Sequence, residues 1–275
     1  MAENNPQAAN PSLDFDSAKL AEDYDRISLE RQFRSGQLLI KDLAPRAGER
    51  ILDIGAGTGL LAEYVADLVG PTGEVIGIDP LPHRIEVANR KARTNLHFQV
   101  ANAYDLSVFP ANHFDAAYMN AVFHWLADKR APLRQIVRIL KRGGRLGIST
   151  GAKGNPNLLR SARAIVLGRE PYNKYVVAST TVLHRVSIEE ARSLLIEAGF
   201  EVKLVEARQI SRPQATPEET MVFSEASSFG NFLGHLPEEL RARARDEIIR
   251  EAKATGDAGE SPRPRLQIIA IAVKL

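Results

Sequence analysis

Several residue types and sequence features that would point to particular functions are missing from this chain. Its 275 residues include no cysteine, which excludes disulfides, thiolate-bound zinc and cysteine nucleophiles. The 36 basic and 34 acidic residues leave a net charge of +2, too small for a strong nucleic-acid footprint. No apolar run approaches the ~20 residues that a membrane-spanning helix needs. The polar start, MAENNPQAANPSLDFD, does not resemble a secretory signal.

We therefore expect a cytoplasmic protein with no membrane span, no nucleic-acid partner and no metal site. The composition, with 44% hydrophobic and 25% charged residues, suits one α/β domain with an added segment. The residue pattern does not select between a monomer and a homodimer.

Short aliphatic strands alternate with amphipathic helices between residues 50 and 150. The pattern predicts strands at 50–54, 74–79, 96–101, 114–120 and 144–150, with helices at 59–69, 82–93 and 129–140. Such alternation indicates a parallel sheet that is covered by helices on both faces. It resumes with a capping box at Ser187 and Glu190, a helix, a strand at 201–207 and the closing strand LQIIAIAVK.

The remaining segments divide the chain into a core and two additions. We expect a disordered tail at 1–12, and a core at 13–150 that begins with two helices within 17–42. A lid segment at 151–185 shows no regular pattern, and the core continues at 186–210. A helical lid insertion occupies 211–264, and the last core strand lies within 265–275.

The stretch ERILDIGAGTGLLAEYV predicts a strand, a glycine turn and a helix. Gly55, Gly57 and Gly59 permit a sharp turn, and they allow a ligand to approach the backbone and the helix N-terminus closely. A tight turn that binds nothing is the structural alternative. A dinucleotide fingerprint would need glycine where Leu60 stands, and a P-loop would need a lysine followed by serine or threonine.

Two acids near this turn narrow the choice of ligand. Asp79 ends the second strand, where its carboxylate can accept hydrogen bonds from both ribose hydroxyls. Asp53 lies beside the turn, where it would repel a pyrophosphate but suit an ammonium group. A nucleoside with free ribose hydroxyls, no phosphate and a positive tail fits these conditions, and S-adenosylmethionine is such a molecule.

Further motifs occur in the same order as in a known family. The motifs are ILDIGAGTG, VIGIDP, ANAYDL, FDAAYMNAVFHWLAD, RILKRGGRLGIST and LLIEAGFEVKLVEA. Together they resemble the class I, Rossmann-like S-adenosylmethionine-dependent methyltransferases, in the branch of ubiquinone/menaquinone-pathway and trans-aconitate methyltransferases. The resemblance implies an α/β fold with a doubly wound, mostly parallel seven-stranded sheet and an antiparallel last strand. It also implies N-terminal helices and a helical lid insertion.

The resemblance implies roles for particular residues. The methionine part of the cofactor would contact Asp53, Gly55, Ala56 and Gly57. The ribose would be held by Asp79, and the adenine would be flanked by Pro80 and Leu81 and contacted by Asn102 and Ala103. The sulfonium would lie beside Asn120 and Ala121, and Tyr24 would close over the cofactor.

His124 is the candidate general base, because it follows the fourth strand and imidazole titrates near neutrality. The alternative is a histidine that packs beside Trp125. Only one of each neighbouring pair among Phe123, His124 and Trp125 is expected to face the pocket. The segment FSEASSFGNFLGH either lines an apolar pocket or packs the lid on the core.

The expected activity is O-, N- or C-methylation of a small, partly apolar metabolite. Two other functions stay open at this point. One is a catalytically inactive S-adenosylmethionine-binding regulatory protein. The other is a nicotinamide-dependent oxidoreductase, which is disfavoured by Leu60 and by the lack of an evident Ser-Tyr-Lys arrangement.

Overall fold

A computed structural model describes residues 12–28, 32–155, 157–175, 183–210, 215–255 and 265–275. The tail expected to be disordered lies outside these residues, apart from Ser12.

Seven strands are present in the described parts of the chain. They are β1 (Arg50–Ile54), β2 (Glu74–Asp79), β3 (Leu96–Val100), β4 (Phe114–Asn120), β5 (Leu140–Gly151), β6 (Phe200–Ile210) and β7 (Arg265–Lys274). The helices are α1 (Ala18–Ser28), α2 (Arg34–Leu43), α3 (Leu60–Val69), α4 (Pro82–Ala88), α5 (Arg130–Ile139), α6 (Leu158–Leu167), α7 (Ile188–Glu197), α8 (Pro217–Ser227) and α9 (Glu238–Thr255).

The strands form one mixed sheet in the order β3-β2-β1-β4-β5-β7-β6. The first five strands of this order pair in parallel. Strand β7 lies antiparallel between β5 and β6. The fold class expected from the sequence, including the antiparallel last strand, is therefore confirmed.

Strand β1 divides its side chains between two hydrophobic clusters on opposite faces of the sheet. Ile51 packs in the cluster that contains α2 and α3. Leu52 and Ile54 pack in the cluster that contains α5 and α7. Because successive side chains in a strand point to opposite faces, Asp53 lies on the α2–α3 face at the carboxyl end of β1.

A third cluster joins segments that are far apart in the sequence. Leu159 and Val166 of α6 pack with Met221 of α8 and Ile248 of α9. We call these three helices and the turn at 228–236 the lid. The lid segment and the lid insertion thus share one hydrophobic core of their own.

The structure differs from the sequence-based boundaries in three places. Helix α6 forms within 151–185, where no helix was predicted, because Asn157 caps a ten-residue amphipathic run; its Oδ1 accepts a hydrogen bond from Arg160 N at 3.1 Å. The helix predicted at 82–93 ends at Ala88 and continues as a short 3₁₀ turn. Strand β5 begins at Leu140, which pairs with Phe114 across an irregularity in the register.

No helix within the described residues combines the length and the apolar character that crossing a bilayer requires.

The central position of β7 makes its buried side chains important for stability. Ile269 is fully buried, whereas Leu266 on the same strand is 45% exposed. We expect Ile269→Ala to lower the free energy of unfolding by about 2–5 kcal/mol through lost burial and a residual cavity. Leu266→Ala is the control and should change it by less than about 1 kcal/mol. Urea denaturation followed by circular dichroism would measure both, and equal effects of the two variants would contradict this placement of β7.

Candidate functional site

A cavity of about 590 Å³ opens at the carboxyl ends of the parallel strands. Strands β1 and β4 are neighbours in the sheet but not in the sequence, so the chain reverses its winding direction between them. Open α/β sheets bind ligands at such a switch point. The described lining residues are Leu13, Tyr24, Gln32, Ile54, Gly55, Ile78, Asp79, Pro80, Arg84, Ala101, Asn102, Ala103, Tyr104, Asp105, Asn120, Ala121, Val122, Trp125, Leu126, Ser227 and Phe229.

The glycine turn after β1 forms one edge of this cavity. Gly55 and Gly57 have φ angles of 80° and 57°, in the region that favours glycine. A Cβ atom on Gly55 would overlap Val122, and one on Gly57 would lie 3.0 Å from the ring of Tyr24. The turn therefore needs glycine both for its backbone conformation and for its close contacts.

The Asp79 carboxylate is buried at the end of β2 and is held by the glycine turn. Its Oδ2 accepts a hydrogen bond from Gly57 N at 2.9 Å, and its Oδ1 accepts one from Leu81 N at 3.1 Å. Burial raises the pKa of Asp79, while the nearby guanidinium of Arg84 and the two amides oppose that rise. A carboxylate fixed in this way can accept further hydrogen bonds from a ligand in the cavity.

Asp53 is a second buried carboxyl on the other side of the turn. It lines a small pocket of about 30 Å³ with Gly55, Ala56 and Asn120, next to the main cavity. Its Oδ2 accepts a hydrogen bond from the hydroxyl of Tyr118 at 2.8 Å. Burial raises the pKa of Asp53 to about 7; the Tyr118 hydrogen bond opposes this rise and the Asp79 carboxylate adds to it. A cationic ligand group here would favour the ionised form of Asp53.

Asn102 and Ala103 lie in the loop after β3 and form another wall of the cavity. The Oδ1 atom of Asn102 accepts a hydrogen bond from Tyr104 N at 2.9 Å. This bond fixes the loop, and the second lone pair of the amide oxygen can still accept a ligand donor.

Asn120 supplies an observation that bears directly on the ligand. Its Nδ2 donates to Gln32 O at 3.2 Å, and its buried Oδ1 has no hydrogen-bond partner among the described residues. Buried polar atoms normally have partners, so this acceptor suits a cationic or N–H-bearing ligand group. Ala121, next to it, has a φ of 60°, which is unusual for alanine, and it lines the same edge.

These features fit S-adenosylmethionine. The ribose hydroxyls can bond to Asp79, and the ammonium group can bond near Asp53 and the free acceptor of Asn120. The cofactor is cationic and carries no phosphate that these two carboxyls would repel.

Tyr24 of α1 covers the glycine turn, and its hydroxyl donates a hydrogen bond to Gln32 Oε1. Both residues line the main cavity and the small pocket, so the segment around α1 covers the glycine turn.

Three of the predicted site residues, Gly57, Leu81 and His124, line neither the main cavity nor the small pocket. Gly57 and Leu81 instead donate their amides to Asp79. His124 shares a hydrogen bond between its Nδ1 and Thr150 Oγ1 at 3.0 Å, and its ring lies 5.3 Å from that of Trp125. Trp125 does line the cavity, whereas Phe123 is buried in the core.

Sequence reasoning did not single out Gln32, Arg84 or Tyr104, which line the cavity. The helical spacing does predict that Arg84 faces inward, because it stands one turn before Ala88, which is buried on the same face of α4. The FSEASSFGNFLGH segment contributes Ser227 and Phe229 to the cavity, while its Phe232 packs inside the lid.

Comparison with known proteins gives independent findings. The family model described as a methyltransferase domain matches residues 52–148. The ubiquinone/menaquinone biosynthesis C-methyltransferase UbiE of Pseudomonas aeruginosa (strain LESB58) is 33% identical over 171 residues. That alignment covers 57% of this chain and 66% of the relative, just under two thirds of its length.

Two solved structures share the fold at lower sequence identity. An S-adenosylmethionine-dependent methyltransferase from Aquifex aeolicus gives a TM-score of 0.53 at 17% identity, covering 93% of this chain and 98% of that one. Haemonchus contortus phosphoethanolamine N-methyltransferase 2 gives a TM-score of 0.59 at 19% identity, covering 94% and 57%. At these identities the likeness supports the fold alone.

The sheet order and the glycine turn are those of the class I, seven-stranded S-adenosylmethionine-dependent methyltransferase fold, and residues 52–148 match a methyltransferase domain. Within that class, the chain is similar to the ubiquinone/menaquinone C-methyltransferases, and the resemblance inferred from its motifs is confirmed.

The raised pKa of Asp53 predicts a pH-dependent effect on stability. A carboxyl with a raised folded-state pKa stabilises the fold below its unfolded value of about 3.9, and this contribution is lost as pH rises through about 7. Asp53→Asn lacks this titration and keeps an acceptor for Tyr118. Between about pH 5 and about pH 8, its unfolding free energy should therefore rise relative to wild type by about 1–3 kcal/mol.

Denaturant titrations of the ligand-free protein at both pH values would measure this difference. Asp67→Asn, on the exposed side of α3, is the control and should show no such trend. A constant difference between Asp53→Asn and wild type across the range would show that Asp53 does not titrate there.

Proposed function

We propose that this protein transfers a methyl group from S-adenosylmethionine to a small, partly apolar metabolite. The observation that carries the proposal is the cavity of about 590 Å³ at the carboxyl edge of the sheet. One side of this cavity is formed by Asp79 and the glycine turn, and the other side is largely apolar. A cavity of about 590 Å³ is within the ~300–1,000 Å³ typical of small-molecule sites.

In this proposal the predicted cofactor-binding residues, apart from Leu81, keep the roles that the resemblance implies. Asp79 binds the ribose hydroxyls, and Asn102 and Ala103 contact the adenine with Pro80 at its edge. Asp53 and the glycine turn surround the methionine part. Asn120 and Ala121 lie beside the sulfonium, and Tyr24 closes the site.

The acceptor molecule would occupy the apolar side of the cavity. Leu13, Val122, Trp125, Leu126 and Phe229 provide apolar and aromatic surface there. Such a wall favours a metabolite with an apolar portion and offers few hydrogen bonds to a very polar one. The indole and phenyl rings can also stabilise the cationic sulfonium by cation–π contact.

The chemistry requires few protein groups. The cofactor supplies a methyl carbon that is already activated by its positive sulfur. The chain holds the acceptor atom in line with that carbon and excludes water, and such positioning can lower the barrier by about 7–11 kcal/mol. The methyl carbon bonds to the acceptor as its bond to sulfur breaks, S-adenosylhomocysteine leaves, and an acceptor that arrived protonated loses a proton.

The relative named above acts as a C-methyltransferase in quinone biosynthesis, and carbon is therefore one candidate acceptor, beside oxygen and nitrogen. We also propose that this activity is cytoplasmic. A monomer and a homodimer both accommodate a cavity that is lined by one chain.

Asp79 gives a direct test of cofactor binding. Hydrogen bonds to a charged partner contribute about 1.5–3 kcal/mol each, so Asp79→Asn should weaken S-adenosylhomocysteine binding at least about tenfold. Asp67→Asn is the matched control, an exposed acid outside the cavity, and should bind like wild type. Isothermal titration calorimetry would measure the three dissociation constants, and failure of the wild-type protein to bind would overturn the proposal.

Turnover separates an enzyme from a protein that only binds the cofactor. The protein would be incubated with S-adenosylmethionine carrying a labelled methyl group and with a small-metabolite extract. Transfer of label to a metabolite, with release of S-adenosylhomocysteine, is the expected result. Binding without any transfer would instead support the regulatory alternative.

We retain His124 as the general base in this proposal. Its hydrogen bond to Thr150 fixes the ring next to Trp125, at the margin of the apolar side. His124→Gln should lower kcat about 10²–10⁴-fold and leave S-adenosylhomocysteine affinity unchanged. The control is His97→Gln, an exposed histidine on β3. Steady-state assays with the identified metabolite would measure kcat, and a wild-type value for His124→Gln would remove this residue from the mechanism.

A further inference from the structure

We propose that Arg84 is a positioning residue that clamps the N-terminal helix and the lid together over the cofactor cavity. This inference rests on the proposed function, because its role is to retain the cofactor that the cavity binds.

Arg84 is unusual because it is a charged side chain on the buried face of α4. It is only 5% exposed, and it lines the cavity. Buried arginines are rare unless other groups compensate for the loss of water. Arg84 has no carboxylate within 4.0 Å among the described residues, so it is not part of a simple ion pair.

Aromatic rings take the place of such a partner. The Cζ atom of Arg84 lies 3.9 Å from the ring centroid of Tyr24 and 4.9 Å from that of Phe229. Phe229 in turn lies 5.1 Å from Trp125. We call Tyr24, Arg84, Phe229 and Trp125 the roof. They come from four separate segments of the chain, and Arg84 contacts both α1 and the lid.

A hydrogen bond fastens the same guanidinium to the lid. Its Nη2 donates to Ala226 O at 2.7 Å, in the last turn of α8. A cation is favoured at the carboxyl end of a helix by the helix dipole and by the exposed carbonyl groups. The planar guanidinium can stack and donate at the same time, which an ammonium group cannot do.

Phe229 provides a second, independent sign of a built contact. Its φ of 59° is a strained conformation for a bulky residue. Such strain persists only where the surroundings enforce it, and it is common in ligand clamps. The ring that this backbone conformation presents is the one that stacks on Arg84 and contacts Trp125.

Arg84 also acts on the ribose-binding carboxylate. The titratable groups that interact with it are Asp79 on β2, Asp16 before α1 and Tyr24 on α1, and His83 on α4 interacts with the same Asp16. Burial raises the pKa of Asp79, and Arg84 is the largest influence that lowers it. Loss of the guanidinium should therefore leave Asp79 more readily protonated and the cofactor less well bound at low pH.

The test follows S-adenosylhomocysteine release by stopped-flow fluorescence, because Trp125 is the single tryptophan and lies in the roof. Arg84→Met keeps the length of the side chain without its charge, and Phe229→Leu removes the ring. Each should raise the dissociation rate constant at least about tenfold. Since both act on one contact, the double variant should be no worse than the stronger single one. Arg84→Lys should recover only part of the loss.

Two further readouts separate the clamp from a general loss of structure. The control, Arg245→Met, removes a lid arginine that pairs with Glu225 outside the cavity, and it should release the ligand like wild type. The affinity of Arg84→Met should improve with rising pH more steeply than that of wild type. If Arg84→Met does not fold, Phe229→Leu and Arg84→Lys carry the test.

The outcomes distinguish the two proposals. Wild-type protein that does not bind S-adenosylhomocysteine overturns the proposed function. Wild-type binding, together with unchanged release rates in folded Arg84→Met or Phe229→Leu, overturns only the clamp. Additive effects of these two substitutions would likewise show that Arg84 and Phe229 do not act together.

Discussion

Two carboxyl groups buried at the ends of neighbouring strands determine the arrangement of the site. Asp53 and Asp79 lie on either side of one glycine turn, and each is energetically unfavourable as an anion unless donors or cations surround it. The protein supplies a tyrosine hydroxyl, two backbone amides and one guanidinium. In the proposed function, the ammonium, sulfonium and ribose hydroxyls of the cofactor supply the remaining partners. The glycine turn is therefore an electrostatic requirement as well as a steric one, because a bulkier turn would move the Gly57 amide away from Asp79.

The walls around these acids are assembled from distant parts of the sequence. Helix α1 and the segment before it, the loop after β3, the loop after β4 and the turn after α8 all meet at the same edge of the sheet. The lid has a hydrophobic cluster of its own, so it can pack as a unit without drawing on the core beneath it. The cofactor side of the cavity is thus built on strand ends, while the lid adds Ser227 and Phe229 to its wall.

The sequence predicted the core of the fold well, because aliphatic strands, the glycine turn and the capping box at Ser187 are local patterns with few structural solutions. It failed at α6, where flanking glycines and prolines masked an amphipathic helix. The acids Asp53 and Asp79 could be found from their positions next to the turn. Arg84 could not be assigned in the same way, since its partners Tyr24 and Phe229 lie 60 and 145 positions away in the sequence. Only tertiary packing brings these residues together. The helical periodicity of a sequence predicts which face of a helix is buried, but not which residues that face contacts.

The position of β7 has a consequence for the order in which the molecule can form. This strand lies between β5 and β6, yet it follows both lid segments in the chain. Among the described strands, β6 pairs only with β7, so the pairing edge of β6 stays open until the lid insertion and the last strand have been synthesised. Contacts of this long sequence separation slow folding. During synthesis, residues 1–264 would therefore emerge from the ribosome before β7 can complete the sheet. The unpaired edge of β6 would be exposed during that time, when aggregation competes with folding.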